Sequence, residues 1–246
     1  MNIYKTSEIA AIIGVHPNTV RLYEKLELIP IAKRLSNGYR IFTDFHLEQF
    51  KLARLALQIE ILQNGLRKKI IQMIKASAKG DFNTALSLTK EYLIQIKQEQ
   101  KNAEEAIIIV KQILSGRTHQ NNEYLKRHEV SKYLNISMDS LRNWEMNGLL
   151  TVKRKKNGYR IYSSDDINRL KIIRSLRCAN YSLEAILRLL NQLSKNPNID
   201  IKMVLDTPET GIDIIAVCDK LITSLLLAEN NAKKIISILN NMKKQF

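Results

Sequence analysis

The sequence predicts a mainly α-helical protein with two winged helix-turn-helix lobes, each followed by a long helix. An internal repeat supports this prediction, because TVRLYEKLELIP followed by SNGYRIF returns later as SLRNWEMNGLLT followed by KNGYRIY. Each copy also holds an Asn-Gly pair between two short strand-like runs, which is typical of a hairpin. Each copy then continues into apolar residues at heptad spacing, and only 4 Pro and 8 Gly in 246 residues are present to interrupt helices.

Each lobe is predicted to begin with two short helices. Ile9 and Ile13 lie at helical spacing, and Gly14 breaks that helix. Pro17 suits the first turn of the next helix, and Ser137 is the N-cap expected for the equivalent helix of copy two. Two short helices joined by a tight turn predict a helix-turn-helix.

A wing and two further helices are predicted to follow in each lobe. Asn37-Gly38 and Asn157-Gly158 indicate a tight hairpin in which both turn positions take positive φ. A hairpin after a helix-turn-helix is a wing. The further helices are expected at about 44–57 and 65–76, matched by about 165–178 and 182–195, with Ser182 capping the last.

The long segments are predicted to form coiled-coil helices, of which the first covers 84–115. Each has two sets of heptad positions, and each places a polar residue, Gln100 or Glu229, within the seam, where such a residue often fixes the register. The sets are Leu86, Leu93, Gln100, Ile107 and Leu114 with Thr89, Ile96, Ala103 and Val110, and then Ile222, Glu229 and Ile236 with Cys218, Leu225, Ala232 and Leu239.

These elements divide the chain into four predicted segments. They are a winged helix-turn-helix over 1–80, a long helix over 81–118, a second winged helix-turn-helix over 119–195, and a loop with the second long helix over 196–246.

The charge is concentrated in the two predicted lobes. The chain has 39 basic and 24 acidic residues, a net charge of +15, of which residues 1–80 carry +7 and 124–195 carry +9. A role in solubility would spread the charge more evenly, whereas two basic blocks indicate two contacts on one polyanion. No run of about 18 apolar residues is present, so no membrane partner is expected. The start of the chain lacks an apolar signal core, which favours a cytoplasmic protein.

The sequence contains no pattern typical of a catalytic or metal site. The four His residues lack ligand spacing, and no Gly-rich phosphate loop, paired-carboxylate site or activated Ser or Cys is present. Cys178 and Cys218 cannot form a disulfide framework, and Cys218 is expected to be a buried heptad thiol. We therefore expect neither an enzyme nor a bound cofactor or metal.

The order of motifs resembles the MerR family of bacterial transcription regulators. The resemblance depends on a T-[hydrophobic]-R-x-[YW]-E stretch, which begins with Ser140 in copy two, a GYR wing, two more helices and a long helix, in the same order in both copies. Copy two matches better, at Ser163–Ile167 and Tyr181–Ile186, while copy one departs with Gln63–Leu66. The second helix of each lobe also departs, with Leu22 and Asn143 where the family often has an aromatic residue or His.

The resemblance implies that Arg21 and Arg142 read the major groove and that Arg40 and Arg160 grip phosphate. Arg21 and Arg142 could alternatively form ion pairs one helical turn away, with Glu24 and Glu145. Tyr23 and Trp144 could contact the DNA backbone or pack into the lobe, and Tyr39 and Tyr159 are expected to support the wing rather than read bases. The predicted DNA contacts are Thr19, Arg21, Tyr23, Lys33, Arg34, Asn37, Tyr39, Arg40, Ser140, Arg142, Trp144, Lys153, Arg154, Lys155, Lys156, Asn157, Tyr159 and Arg160.

Family members usually pair as homodimers through antiparallel long helices. A helix over 84–115 is roughly 48 Å long at 1.5 Å per residue, so its end would lie beside the other lobe. The short polar link Gly116–Glu123 can then lead directly into copy two. The resemblance therefore implies a monomeric, single-chain pseudo-dimer with an antiparallel coiled coil.

The function implied is a regulator that binds and distorts promoter DNA for RNA polymerase. A small-molecule inducer would have to bind between lobes and coil, with residues 196–215 as one candidate region. Two alternatives stay open, namely a ligand-sequestering protein on the same fold and a chromosome-anchoring or chromosome-organising DNA-binding protein. The two retained wings argue against the first.

Overall fold

A computed structural model describes residues 2–58, 65–114, 124–195 and 214–246, and it confirms the mainly α-helical class. Copy one comprises β1 (Ile3–Tyr4), α1 (Thr6–Ile13), α2 (Pro17–Lys25), β2 (Lys33–Arg34), β3 (Arg40–Thr43), α3 (Asp44–Ala56), α4 (Leu66–Ala78) and α5 (Phe82–Leu114). Copy two comprises β4 (Leu125–Lys126), α6 (Arg127–Leu134), α7 (Met138–Met146), β5 (Lys153–Arg154), β6 (Arg160–Tyr162), α8 (Ser164–Cys178), α9 (Leu183–Lys195) and α10 (Ile214–Gln245).

The chain divides into two compact units that each combine parts of both copies. Unit 1 comprises Met1–Lys97 and Ser224–Phe246, and unit 2 comprises Gln98–Thr223. Lobe one, from β1 to α4, therefore shares its unit with the second half of α10. Lobe two, from β4 to α9, shares its unit with the second half of α5. The predicted link and most of the predicted loop, residues 116–123 and 196–213, lie outside the described residues.

The helix-turn-helix of each lobe depends on a residue in the left-handed conformation after its first helix. Gly14 takes this position in lobe one with φ 71°, and Asn135 takes it in lobe two with φ 50°. Gly and Asn are the residues that tolerate this conformation best. Pro17 begins α2, and the Ser137 hydroxyl caps α7 by accepting from the Ser140 amide, so both predicted helix starts are confirmed.

Each wing is part of a three-stranded antiparallel sheet, of which the sequence predicted only two strands. β3 lies between β1 and β2, and β6 lies between β4 and β5. The predicted turn geometry was wrong, because Gly38 and Gly158 have φ 80° while Asn37 and Asn157 have negative φ. The Asn side chains instead accept hydrogen bonds from the Tyr39 and Tyr159 amides at 3.2 and 3.3 Å, which closes a longer turn.

The long helices confirm one predicted heptad set each and correct the other. In α5, Thr89, Ile96, Ala103 and Val110 are buried as predicted, but their partners are Ala85, Tyr92, Glu99 and Ala106 rather than the half-buried Leu86, Leu93, Gln100 and Ile107. In α10, Leu225, Ala232 and Leu239 are buried with Leu221, Ala228, Ile235 and Met242, while Ile222, Glu229 and Ile236 are half-buried. In both helices the second buried set therefore lies one residue earlier than predicted. The Leu114 and Cys218 side chains are outside the described part.

The two units use the same position to attach a long helix to a lobe. In unit 2, the Ser175 hydroxyl of α8 donates to the Asn102 carbonyl of α5 at 3.1 Å. In unit 1, the equivalent Asn231 of α10 donates its amide to the Leu55 carbonyl of α3 at 3.4 Å. Ala106, Ile109 and Val110 of α5 also belong to the core of lobe two. No helix in the described segments is both long and apolar enough to cross a bilayer.

His46 is expected to make lobe one sensitive to acid. Its ring Nδ1 accepts from the Thr43 amide at the start of α3, and burial lowers the pKa of the imidazole below its ordinary 6.5. As the pH falls, this imidazole is protonated in the unfolded chain before it is protonated in the folded chain. The stability that the neutral His46 contributes is therefore present above pH 6.5 and is lost as the pH falls through the lowered pKa.

Between pH 7.5 and 5, we expect the urea midpoint of the wild type to fall more than that of His46→Asp. Asp is the matched control because Asp166 caps α8 at the same position of lobe two. Equal falls for both proteins would contradict the prediction.

Candidate nucleic-acid interface

The second helix of each helix-turn-helix exposes one arginine in the same position. Arg21 donates from Nη1 to the Asn18 side chain at 3.1 Å, and both residues are exposed. Arg142 is also exposed, and none of the ion pairs among the described residues involves it. The alternative of an ion pair with the glutamate one turn later does not describe either arginine, because these glutamates bind elsewhere.

The glutamates bind the wing arginines. The Nε atom of Arg40 donates to Glu24 at 2.6 Å, and Nε of Arg160 donates to Glu145 at 2.5 Å. The Glu145 carboxylate raises the pKa of Arg160 further, and Glu24 also accepts from the Ala32 amide at 3.1 Å. Each pair therefore fastens the wing to the second helix of its own lobe. Phosphate contact by these two arginines stays a prediction.

The aromatic residues of these helices pack inward. Tyr23 stacks on Phe50 with ring centroids 4.4 Å apart and an interplanar angle of 7°. Trp144 is 6% exposed and belongs to the core of lobe two. The packing alternative therefore describes both rings, and the burial of the Trp144 indole inside the lobe argues against the DNA contact predicted for it.

The wing tyrosines lie at the surface. Tyr39 and Tyr159 are 70% and 71% exposed, so their rings are not part of a buried core, and the expectation that they support the wing rather than read bases stays a prediction. Their exposure beside the turn leaves the rings available to a partner.

The remaining predicted residues lie on the wings and at the starts of the second helices. Lys33 and Arg34 are exposed in lobe one, as is the whole run Lys153–Lys156 in lobe two. Arg154 is partly engaged with Glu145 at 3.5 Å. Thr19 and Ser140 are half-buried in the first turns of α2 and α7. Lobe two therefore presents the larger free positive charge.

Unit 2 also contains a basic concavity that sequence reasoning missed. It has a volume of about 710 Å³ and lies between the start of α6 and the wing. The Arg127 guanidinium donates to the Met138 carbonyl and thereby joins the starts of α6 and α7. The signal was available, since Lys126, Arg127 and His128 stand together at the start of a predicted helix. The lining residues are Lys126, Arg127, His128, Met138, Lys155, Asn157, Gly158, Tyr159, Arg160 and Ile161.

Metal binding has no support within the part of the chain that the structure describes. No three His, Cys, Asp or Glu side chains there lie close enough together to hold an ion.

Comparison with known proteins gives matches in both copies. Residues 5–42 match the MerR family regulatory protein family, and residues 125–193 match the MerR HTH family regulatory protein family. The HTH-type transcriptional regulator ZntR of Escherichia coli strain K12 is 34% identical over 66 residues, which is 27% of this chain and 47% of that protein. The HTH-type transcriptional regulator CueR of Escherichia coli O6:H1 is 39% identical over 59 residues, or 24% of this chain and 42% of that protein.

The chain thus spans about half the length of the curated relatives that it matches, and no solved structure matches it. The two family matches fall on the two lobes, and the motifs on which they depend occupy equivalent elements in both. The chain therefore carries two MerR-family regions in tandem, one in each lobe.

Proposed function

We propose that the protein is a DNA-binding transcription regulator that places both of its lobes on one promoter duplex. The observation that carries the proposal is the repeated pairing of wing arginine and helix glutamate, at 2.6 Å in lobe one and 2.5 Å in lobe two. Each pair fixes a positively charged wing relative to an exposed helix, which is the geometry of a major-groove reader with a phosphate-binding arm. Both curated relatives are named as HTH-type transcriptional regulators.

The proposed unit of binding is a single chain. Its support is that each lobe receives the second half of the other copy's long helix, as an antiparallel pseudo-dimer requires. The mass in solution should then be near 28.4 kDa. We further propose that binding bends or untwists the promoter spacer for RNA polymerase, with specificity arising partly from DNA deformability.

The operator is proposed to be asymmetric. Leu22 is 49% exposed on α2, and the exposed residue at the same place on α7 is Asn143. Leucine can contact a thymine methyl group, whereas an Asn amide can bind adenine through two hydrogen bonds. The two half-sites should therefore differ in their bases.

Fluorescence anisotropy with the protein's own promoter tests DNA binding directly. Specific binding that greatly exceeds binding to a scrambled duplex of equal length would support the proposal. Equal affinity for both duplexes would contradict it, and chromatin immunoprecipitation with broad coverage would favour a chromosome-organising role instead. If the protein bound neither duplex and a small molecule raised its melting temperature, the ligand-sequestering alternative would be favoured.

Lys155 and Lys156 should contribute mainly sequence-independent phosphate contacts. In Lys155→Gln/Lys156→Gln, we expect weaker binding to every duplex and a salt dependence flatter by about one unit per lysine. The matched control is Lys111→Gln/Lys132→Gln, which removes the same charge from exposed positions of α5 and α6, outside the wing strands. An unchanged salt slope in the wing variant would refute the contact.

A further inference from the structure

Lobe two contacts α5, the long helix of copy one, through a buried ion pair. The Arg174 guanidinium of α8 donates from both Nη atoms to the Glu99 carboxylate of α5, each at 2.7 Å. Its Nε donates to the Leu134 carbonyl at 2.9 Å. The two side chains are only 5% and 3% exposed, so neither charge can be solvated without its partner.

A second ion pair lies beside the first. Lys171 donates to Glu105 of α5 at 2.6 Å, and the ammonium lies over the Tyr133 ring, 5.2 Å from its centroid. These partners raise the pKa of Lys171 despite its partial burial. α5 therefore presents two carboxylates to two cations of lobe two.

Lobe one receives a helix of different charge. At the positions of Glu99 and Glu105, α10 carries Ala228 and Lys234. The lobe-one counterpart of Arg174 is Arg54, which is exposed, and the counterpart of Lys171 is Lys51, which pairs with Glu48 of its own helix at 2.7 Å. Among the described residues, neither of these two cations pairs with a carboxylate of α10.

This difference matters for a dimer of two chains in which copy one would pair with copy one and copy two with copy two. α10 of one chain would then cover lobe two of the other, and Ala228 would lie against Arg174. A buried guanidinium would lose its carboxylate, which is strongly unfavourable. Lys234 would also face Lys171, a repulsion between like charges. If copy one pairs with copy one, each copy two is left either with another copy two or with an uncovered lobe, so rejecting the second pairing also disfavours the first.

We propose that Glu99 and Arg174, assisted by Glu105 and Lys171, select which long helix covers lobe two and so prevent copy two from pairing with itself between chains. The proposal rests on the single-chain arrangement proposed above. In this proposal the ion pair determines whether α5 or α10 covers lobe two, which is a role beyond stabilising the fold.

Disulfide trapping in the full chain reports which helix covers lobe two. Ser175→Cys is combined with either Asn102→Cys or Asn231→Cys, and the disulfides are identified by peptide mapping. In the otherwise unchanged chain we expect residue 175 to link to 102 and not to 231. In the exchange variant Glu99→Ala, Glu105→Lys, Ala228→Glu, Lys234→Glu, we expect a link between 175 and 231 of two chains and a mass twice 28.4 kDa.

An exchange variant that still links residue 175 to residue 102 would overturn the proposal. If that variant is insoluble, Glu99→Ala/Ala228→Glu gives the same readout with two substitutions, and the same result would overturn it. The matched control is Glu104→Lys/Lys220→Glu, which exchanges charge between exposed positions of the two long helices and should leave the native link unchanged. The mass of the unmodified chain tests the single-chain arrangement separately.

Discussion

Trp144→Ala is expected to destabilise unit 2 by about 3–5 kcal/mol, because it leaves a large cavity in the core of lobe two. The indole is 6% exposed and packs in the same cluster as Leu141, Leu149 and Tyr162. Urea unfolding monitored by circular dichroism measures the loss. Because this is a large fraction of the stability of a typical domain, we expect the variant to lose DNA binding through unfolding.

Two controls separate packing from DNA contact at this position. Trp144→Phe keeps most of the apolar volume, so it should retain DNA affinity even though the indole nitrogen is absent. Met146→Ala removes an apolar side chain from the same helix at a position that is 75% exposed, and it should barely change stability. A stable Trp144→Ala protein with impaired DNA binding would reverse our conclusion and return Trp144 to the interface.

Disabling one lobe should reduce affinity for the full operator on the order of a hundredfold to ten-thousandfold. When one lobe is bound, the other is held near its half-site at a high effective concentration, and this advantage is lost when it cannot bind. The variant Arg142→Ala/Lys155→Ala/Lys156→Ala removes exposed cations of lobe two without touching its core. Anisotropy titrations with whole and half operators at one salt concentration measure the effect.

The mirror variant for this experiment is Arg21→Ala/Lys33→Ala/Arg34→Ala in lobe one. Each variant should retain its affinity for the half-site of its intact lobe, which shows that the chain is folded. We expect the larger loss from the lobe-two variant, because its wing carries more free charge. Binding of the whole operator within tenfold of the wild type by either variant would mean that the lobes act independently.

The sequence predicted the elements well because their signals are local. Pro17, Ser137 and Ser182 each act on the adjacent turn of helix, and all three start helices as expected. The heptad register is not a local property. Leu86 and Ala85 both lie at permitted spacing from Thr89, and which of them is buried depends on tertiary packing that spacing alone does not reveal. The structure buries the smaller residue.

The candidate site was predicted less completely than the fold. Asn-Gly correctly indicated a hairpin, but the side-chain oxygen of Asn37 accepts a hydrogen bond from the Tyr39 amide, and this bond favours a different turn. The exposure of Tyr39 and the burial of Trp144 follow from tertiary packing, which residue type alone does not reveal. The ion pair between Glu99 and Arg174 joins residues 75 positions apart, so no spacing rule within the sequence indicates it.

Because unit 1 is assembled from two distant segments of the chain, it cannot be completed early in translation. Its first part ends at Lys97, but its second part begins only at Ser224. At 5–20 residues per second, the nascent lobe waits on the order of ten seconds before the segment that completes its unit is translated. During that interval the apolar surface that α10 will cover is open to chaperones and proteases, so the first lobe to be synthesised is the last to be protected.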